Sequence, residues 1–97
     1  MGNMEAQKEE MKKKLETITV EEKAGDGAIT IKANANREIL NISIDKSKLA
    51  SDDMEELEDL LLIAMNRVLA KAAEKEAEEA QKMISNMLPP GLGNLFG

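Results

Sequence analysis

Residues 17–45 read TITVEEKAGDGAITIKANANREILNISID, a segment in which apolar and polar residues alternate over three short runs. An alternation with a period of two is typical of strands that bury one face of a sheet. The runs are separated by Gly25-Asp26-Gly27 and by Asn36-Arg37, and glycine readily adopts the positive φ that a tight hairpin turn requires. The segment therefore predicts an antiparallel meander of three strands, at about 17–24, 28–35 and 38–45.

A helix is predicted before the meander, over about 4–16. Met4, Met11 and Leu15 form a narrow apolar stripe at helical spacing, and neither Gly nor Pro interrupts it. A helix of about a dozen residues is only marginally stable alone. The stripe must therefore pack against another part of the molecule.

A much longer helix is predicted after the meander, over about 52–88. Ser51 or Asp52 is the expected N-cap, and Pro89-Pro90 ends the helix because proline cannot continue it. A sheet of three short strands needs a helix over its apolar face. The predicted fold is therefore α+β, with the order α-β-β-β-α in one domain over 1–88 and a flexible tail over 89–97.

Two apolar faces follow one another along the long helix when its residues are placed 100° apart. The first face, which we expect to cover the sheet, consists of Leu57, Leu60, Leu61, Ala64 and Val68. These residues are predicted to form the core or a dimer interface together with Leu40, Ile42 and Ile44 of the third strand. The second face consists of Leu69, Ala73, Ala77, Ala80, Ile84 and Met87. We expect it to meet either the first helix or a second copy of the chain.

The predicted long helix exceeds the dimensions of a compact protomer. At 1.5 Å per residue it spans about 54 Å, whereas a compact globule of 97 residues has a radius of gyration of about 13 Å. The helix must therefore project beyond the sheet and carry apolar residues into solvent. A projecting apolar stripe and a core without aromatic residues both favour a homodimer.

The net charge of −6 comes almost entirely from one acidic block. The acidic block comprises Asp52, Asp53, Glu55, Glu56, Glu58 and Asp59. These residues occupy the first two turns of the long helix, where the helix dipole favours negative charge. They lack the turn glycine and the ligand spacing of a calcium loop, so we expect no metal site there.

The composition excludes several classes of chemistry. The chain has no Cys and no His, and its one aromatic residue is Phe96, which excludes a disulfide scaffold, a Cys/His metal site and catalysis by a thiol or an imidazole. No apolar run approaches the roughly 20 residues of a membrane span. We expect a cytoplasmic protein that is not an enzyme and has no cofactor, small-molecule substrate or membrane partner.

Basic residues on both predicted helices are candidate nucleic-acid contacts. On the long helix they are Arg67, Lys71, Lys75 and Lys82, which share one side. On the first helix Lys12-Lys13-Lys14 form a cationic collar. Either set can contact DNA phosphates, or it can be a solvated surface, with a Glu78–Lys82 pair on the long helix. Two arginines and no recognition motif favour contact with the DNA backbone over base readout.

Three stretches occur in a fixed order along the chain. They are Asn41-Ile42-Ser43-Ile44-Asp45, Glu56-Leu57-Glu58-Asp59-Leu60-Leu61 and Leu88-Pro89-Pro90-Gly91-Leu92. Placed behind a short helix and a meander, they resemble the YbaB/EbfC family of bacterial nucleoid-associated proteins, over residues 16–92. Ala33-Asn34-Ala35-Asn36-Arg37 further resembles a Bacteroidetes-type branch of that family.

The resemblance implies a homodimer whose terminal helices project like the arms of tweezers. It also implies non-enzymatic binding of duplex DNA in the nucleoid, with low sequence specificity, that alters DNA conformation or gene expression. By region and charge, the DNA-contacting positions it implies are Lys8, Lys12, Lys13, Lys14, Lys71, Lys75 and Lys82. The alternative is an interaction module whose exposed Met/Ala helical seam binds a partner helix, without physiological DNA binding.

Overall fold

The computed structural model describes residues 2–50 and 52–87. Its elements, in chain order, are α1 (Gly2–Glu16), β1 (Thr19–Ala24), β2 (Ile29–Asn34), β3 (Ile39–Ile44), a short 3-10 helix (Lys46–Lys48) and α2 (Met54–Met87). The strands form one sheet in the order β1-β2-β3, and both strand pairs are antiparallel. The predicted α+β fold is confirmed, whereas the predicted tail over 89–97 lies outside the described residues.

The β1–β2 hairpin turns through three consecutive residues with positive φ. The angle is 64° at Gly25, 54° at Asp26 and 87° at Gly27, a conformation that glycine adopts without strain and that Asp tolerates better than most residues. The turn also lies close to α2, since a Cβ built on Gly25 would be 2.7 Å from Leu60 Cδ1. Gly25 therefore permits both the turn and its contact with the helix.

Replacing this glycine is expected to destabilise the protein. Gly25→Ala should lower the free energy of unfolding by about 1–2 kcal/mol, because an L-residue is strained at this φ and its methyl group must displace Leu60. Urea denaturation followed by circular dichroism measures the change. The control is Gly27→Ala, which carries comparable strain but meets only Lys48 Nζ, at 3.2 Å, and should cost less. Equal losses for the two variants would contradict the proposed contact with Leu60.

Asp53 caps the N-terminus of α2. Its Oδ1 accepts a hydrogen bond from the Glu56 N–H at 2.9 Å, and Glu56 Oε1 accepts one from the Ala50 N–H at 3.2 Å. The prediction that Ser51 or Asp52 caps the helix was wrong. Asp52 and Asp53 are both followed by Glu three positions later, the spacing of a capping box, so the pattern alone does not distinguish the two.

α2 packs across β1 and β2 and leaves β3 uncovered. The buried core comprises Val20, Ala24, Ala28, Ile29, Ile31, Ala33, Ala64, Val68 and Ala72. Among the residues predicted as core or interface, Ala64 and Val68 are fully buried, and Leu57, Leu60 and Leu61 pack against the core while half-buried. The first apolar face of the long helix therefore covers the sheet, as predicted.

β3 keeps the apolar residues of its core side exposed. Ile42 and Ile44 lie opposite Ile31 and Ile29, which are fully buried, so all four side chains share the face of the sheet that α2 covers elsewhere. Yet Leu40, Ile42 and Ile44 are 49%, 44% and 39% exposed. We call these three residues the open β3 face, which the single protomer does not bury.

α2 extends past the sheet, and α1 lies antiparallel beside this extension. Lys14 contacts Glu79, whereas Gln7, two turns earlier on α1, lies beside Asn86. The Cα trace measures 59 × 28 × 16 Å with a radius of gyration of 18.0 Å, well above the about 13 Å of a compact globule of this length. We call α1 together with residues 72–87 the arm, and its projection agrees with the prediction.

The second apolar face of α2 remains open. α1 approaches α2 at Glu76, Glu79 and Met83, whereas Ile84 and Met87 are exposed. One of the two expected partners of this face, the first helix, is therefore wrong, because α1 packs against an adjacent side of the helix.

Candidate nucleic-acid interface

The base of the arm is fixed by the turn between β2 and β3. Asn36 Nδ2 donates a hydrogen bond to the Lys12 carbonyl oxygen at 2.8 Å, and the Ala35 N–H donates to the Leu15 carbonyl oxygen at 3.2 Å. Asn34, itself buried, accepts from the Asn36 N–H at 3.0 Å and so shapes the turn. Sequence reasoning assigned no role to either asparagine, although Asn directly after a strand is a turn signal.

A buried carboxylate joins the two helices of the arm. The side chain of Glu79 is 8% exposed, and its two oxygens accept from Lys14 Nζ of α1 and Lys82 Nζ of α2, each at 2.9 Å. These hydrogen bonds outweigh burial and lower the pKa of Glu79 to about 2, and Glu79 in turn raises the pKa of Lys82. We call the three residues the Glu79 cluster, which is ionised throughout the neutral pH range.

The Glu79 cluster corrects one expectation and adds a residue that the sequence pattern missed. The expected Glu78–Lys82 ion pair is not the one formed, because Lys82 pairs with Glu79 and Glu78 pairs with Lys75 at 3.3 Å. Glu79 is the member of the acidic run that points towards α1. The only sequence signal for it was a position on the same side of the helix as Ala72, which becomes visible once the buried face is known.

Two residues of the predicted basic stripe bind the outer edge of the sheet. Arg67 Nη1 donates to the Lys23 carbonyl oxygen at 3.1 Å, and Lys71 Nζ donates to the Glu21 carbonyl oxygen at 3.3 Å. Lys71 also pairs with the Glu22 carboxylate at 3.2 Å. These cations occupy acceptors on the free edge of β1, where an unpaired strand otherwise invites pairing with another chain.

Three lysines of α1 have no such partners. Lys8, Lys12 and Lys13 are exposed, and their side chains form no ion pair with any residue in 2–50 or 52–87. Lys8 and Lys12 are one turn apart and share a side of α1, and Lys13 lies about 100° further round. We call them the arm lysines. Of the predicted DNA-contacting residues, they alone are free of intramolecular ion pairs or carbonyl contacts in the described part of the chain.

The acidic block lies far from the arm lysines. Its residues stand at the start of α2, whereas α1 lies beside the end of the same helix, so about 30–40 Å of helix separates them. This distance exceeds the Debye length of about 8 Å at physiological salt. The net negative charge of the chain therefore does not cancel the positive charge of the arm.

Other kinds of site find no support among the described residues. In 2–50 and 52–87 no group of three or more acidic side chains is placed to hold a metal ion. Neither α1 nor α2, as far as the structure describes them, combines the length and the apolar character of a membrane span.

Comparison with known proteins identifies relatives over most of the chain. The sequence profile described as the YbaB/EbfC DNA-binding family matches residues 1–87. A protein of Flavobacterium johnsoniae named nucleoid-associated protein is 39% identical over 90 residues, which cover 91% of this chain and 83% of the relative. A nucleoid-associated protein of Clostridium novyi is 38% identical over 99 residues, covering 95% of this chain and 87% of the relative.

A solved structure shares the fold. The crystal structure of an uncharacterized protein from Helicobacter pylori superposes with a TM-score of 0.68 at 23% sequence identity, over 84% of this chain and 95% of that chain.

Proposed function

The chain belongs to the YbaB/EbfC DNA-binding family, and we propose on that basis that it binds duplex DNA as a homodimer, without enzymatic activity, mainly through backbone phosphates. Binding of this kind has low sequence specificity and alters DNA conformation or gene expression in the nucleoid, in the cytoplasm. The observation that carries the proposal is the set of arm lysines, three unpaired cations on a projecting helix.

The available cations favour phosphate contact over base readout. Bidentate recognition of guanine requires a free guanidinium group, but Arg67 is held on the β1 edge and Arg37 pairs with Glu76 at 3.6 Å. The arm lysines instead present compact charges on flexible stems, which suit phosphate oxygens in any sequence. Arg67, Lys71, Lys75, Lys14 and Lys82 are secondary candidates, because each already has an intramolecular partner.

The open β3 face supports the homodimer. Arg67 and Lys71 cap the β1 edge, whereas β3 has a free edge beside exposed apolar side chains. Leu69 and Ala73 of α2 lie about 160–200° round the helix from Lys71, which places them on the β3 side. The open β3 face therefore continues onto the second apolar face of α2, and a second copy of the chain can bury both.

Two linked arms bind DNA more tightly than one. Once the first arm has bound, the second arm is present at a high effective concentration, which increases the overall affinity by about 100-fold or more. This gain explains how three lysines per protomer suffice for binding.

Low sequence specificity is the first property to test. Fluorescence anisotropy with two unrelated duplexes of equal length should give affinities that agree within about threefold, because phosphate contacts carry no sequence information. A strong preference for one duplex, kept when its flanking sequence is scrambled, would contradict phosphate contact as the main mode.

A second candidate function is capture of a partner helix by the arm. The exposed second apolar face of α2, with Ile84 and Met87, favours it, since an amphipathic helix can pack on such a seam. Purification from the native host in the presence of nuclease distinguishes the two. A stoichiometric protein partner retained by the wild-type chain and lost on Ile84→Asp, together with no DNA binding at low salt, would favour this second function.

A further inference from the structure

The contact between α1 and α2 is sparse beyond the last turns of α1. Leu15 is buried, Met11 is half-buried and Met4 is exposed, so the apolar contact weakens steadily towards the N-terminus. Open grooves of about 380 Å³ and 320 Å³ flank α1 on its two sides, and both border Met83 of α2. Apolar packing alone therefore does not determine the direction in which α1 leaves the sheet.

Polar contacts hold the last turn of α1 from two opposite sides. Asn36 binds the Lys12 carbonyl oxygen on the side of the larger groove, and Glu79 binds Lys14 on the side of the smaller one. Lys12 and Lys14 are about 200° apart round the helix. With Leu15 buried between them, these contacts prevent α1 from rotating about its seated end.

We propose that Glu79 is a positioning residue for DNA binding: by holding Lys14 of α1 and Lys82 of α2 on one carboxylate, it sets the direction of α1 and thereby the placement of the arm lysines. The inference rests on the proposed function. Glu79 itself repels phosphate and touches no DNA, so its role is opposite in sign to its own charge.

This opposition in sign provides the test. If charge alone mattered, Glu79→Gln would strengthen DNA binding, because it removes a negative charge and releases two lysines. If Glu79 positions the arm, the same variant weakens binding roughly tenfold, the effect of losing about one phosphate contact per protomer, and the salt dependence becomes shallower by about the same number of contacts.

The matched control is Glu78→Gln. Glu78 is the adjacent residue and changes the net charge identically, but it is 55% exposed and pairs only with Lys75 on its own helix. We expect this variant to bind DNA as tightly as the wild type or slightly more tightly. Equal or tighter binding by Glu79→Gln than by Glu78→Gln would overturn the proposal.

Arm geometry can be measured without DNA. The chain contains no Cys, so spin labels on Gln7→Cys and Asn86→Cys report only the separation of α1 and α2, because both positions border the smaller groove. Electron paramagnetic resonance should show a narrow distance distribution that Glu79→Gln broadens and Glu78→Gln leaves unchanged. An unchanged distribution in Glu79→Gln would refute the positioning role, even if the wild type binds no DNA.

A conservative variant covers the case in which Glu79→Gln fails to fold. Glu79→Asp keeps the charge and shortens the side chain by one methylene, so it reaches only one of the two lysines. It should show an intermediate broadening and a DNA affinity between those of the wild type and Glu79→Gln. Wild-type values for both quantities in a folded Glu79→Asp protein would count against the proposal, whereas absence of DNA binding by every form, with the broadening present, would refute only the proposed function.

Discussion

Reversing the charge of Lys8, Lys12 and Lys13 together is expected to lower the affinity for duplex DNA about 100-fold or more. Each arm lysine is exposed and without an ion pair in the described part of the chain, so each can neutralise a phosphate and release its counterions. A glutamate at the same position removes that contact and adds repulsion. Fluorescence anisotropy at low salt measures the loss, and circular dichroism checks that the helices remain formed.

The control must reproduce the change in net charge. Lys23, Lys32 and Lys46 are also exposed lysines, and they lie on the sheet and the 3-10 helix instead of the arm. Their triple replacement by Glu gives the same total charge and should weaken DNA binding far less. Equal losses for the two triple variants would show that only overall charge matters, which contradicts a role for the arm.

Replacing Ile42 and Ile44 with Asp is expected to convert the homodimer to a monomer. In the protomer these side chains are half-exposed, so carboxylates are tolerated there. In a dimer that buries the open β3 face, four unpaired carboxylates would be desolvated, which weakens dimerisation by about 1,000-fold or more. Sedimentation velocity measures the mass, and DNA affinity should fall with it because the second arm is lost.

A control for this variant adds the same charges to the opposite face of the same strand. Asn41 pairs with the exposed Lys32 and Ser43 with Thr30, so Asn41→Asp with Ser43→Asp leaves the open β3 face intact. This variant should stay dimeric. A wild-type chain that sediments as a monomer, or an Ile42→Asp/Ile44→Asp variant that stays dimeric, would refute the interface.

The fold could be predicted from sequence because its signals are local. The alternation over 17–45 and the glycines at Gly25 and Gly27 define three strands and a hairpin, and only a helix can cover so small a sheet. The N-cap of α2 could not be predicted, because Asp52 and Asp53 each have a Glu at the capping-box spacing.

The candidate site could be predicted only in part. The positions of the lysines follow from helical periodicity, but the partner of each depends on where α2 crosses the sheet and which side of α2 meets α1. Arg67 and Lys71 reach backbone oxygens of β1, and Lys82 selects Glu79 over Glu78 because Lys14 approaches from α1. Such choices are made by tertiary packing, which periodicity within one helix does not contain.

The most direct test of phosphate contact by the arm is the salt dependence of DNA binding by the wild-type chain. The logarithm of the association constant should fall linearly with the logarithm of the salt concentration. With three arm lysines from each of two protomers, the slope should be about −5. An affinity that does not change with salt, or no binding to random duplex DNA at low salt, would contradict the account.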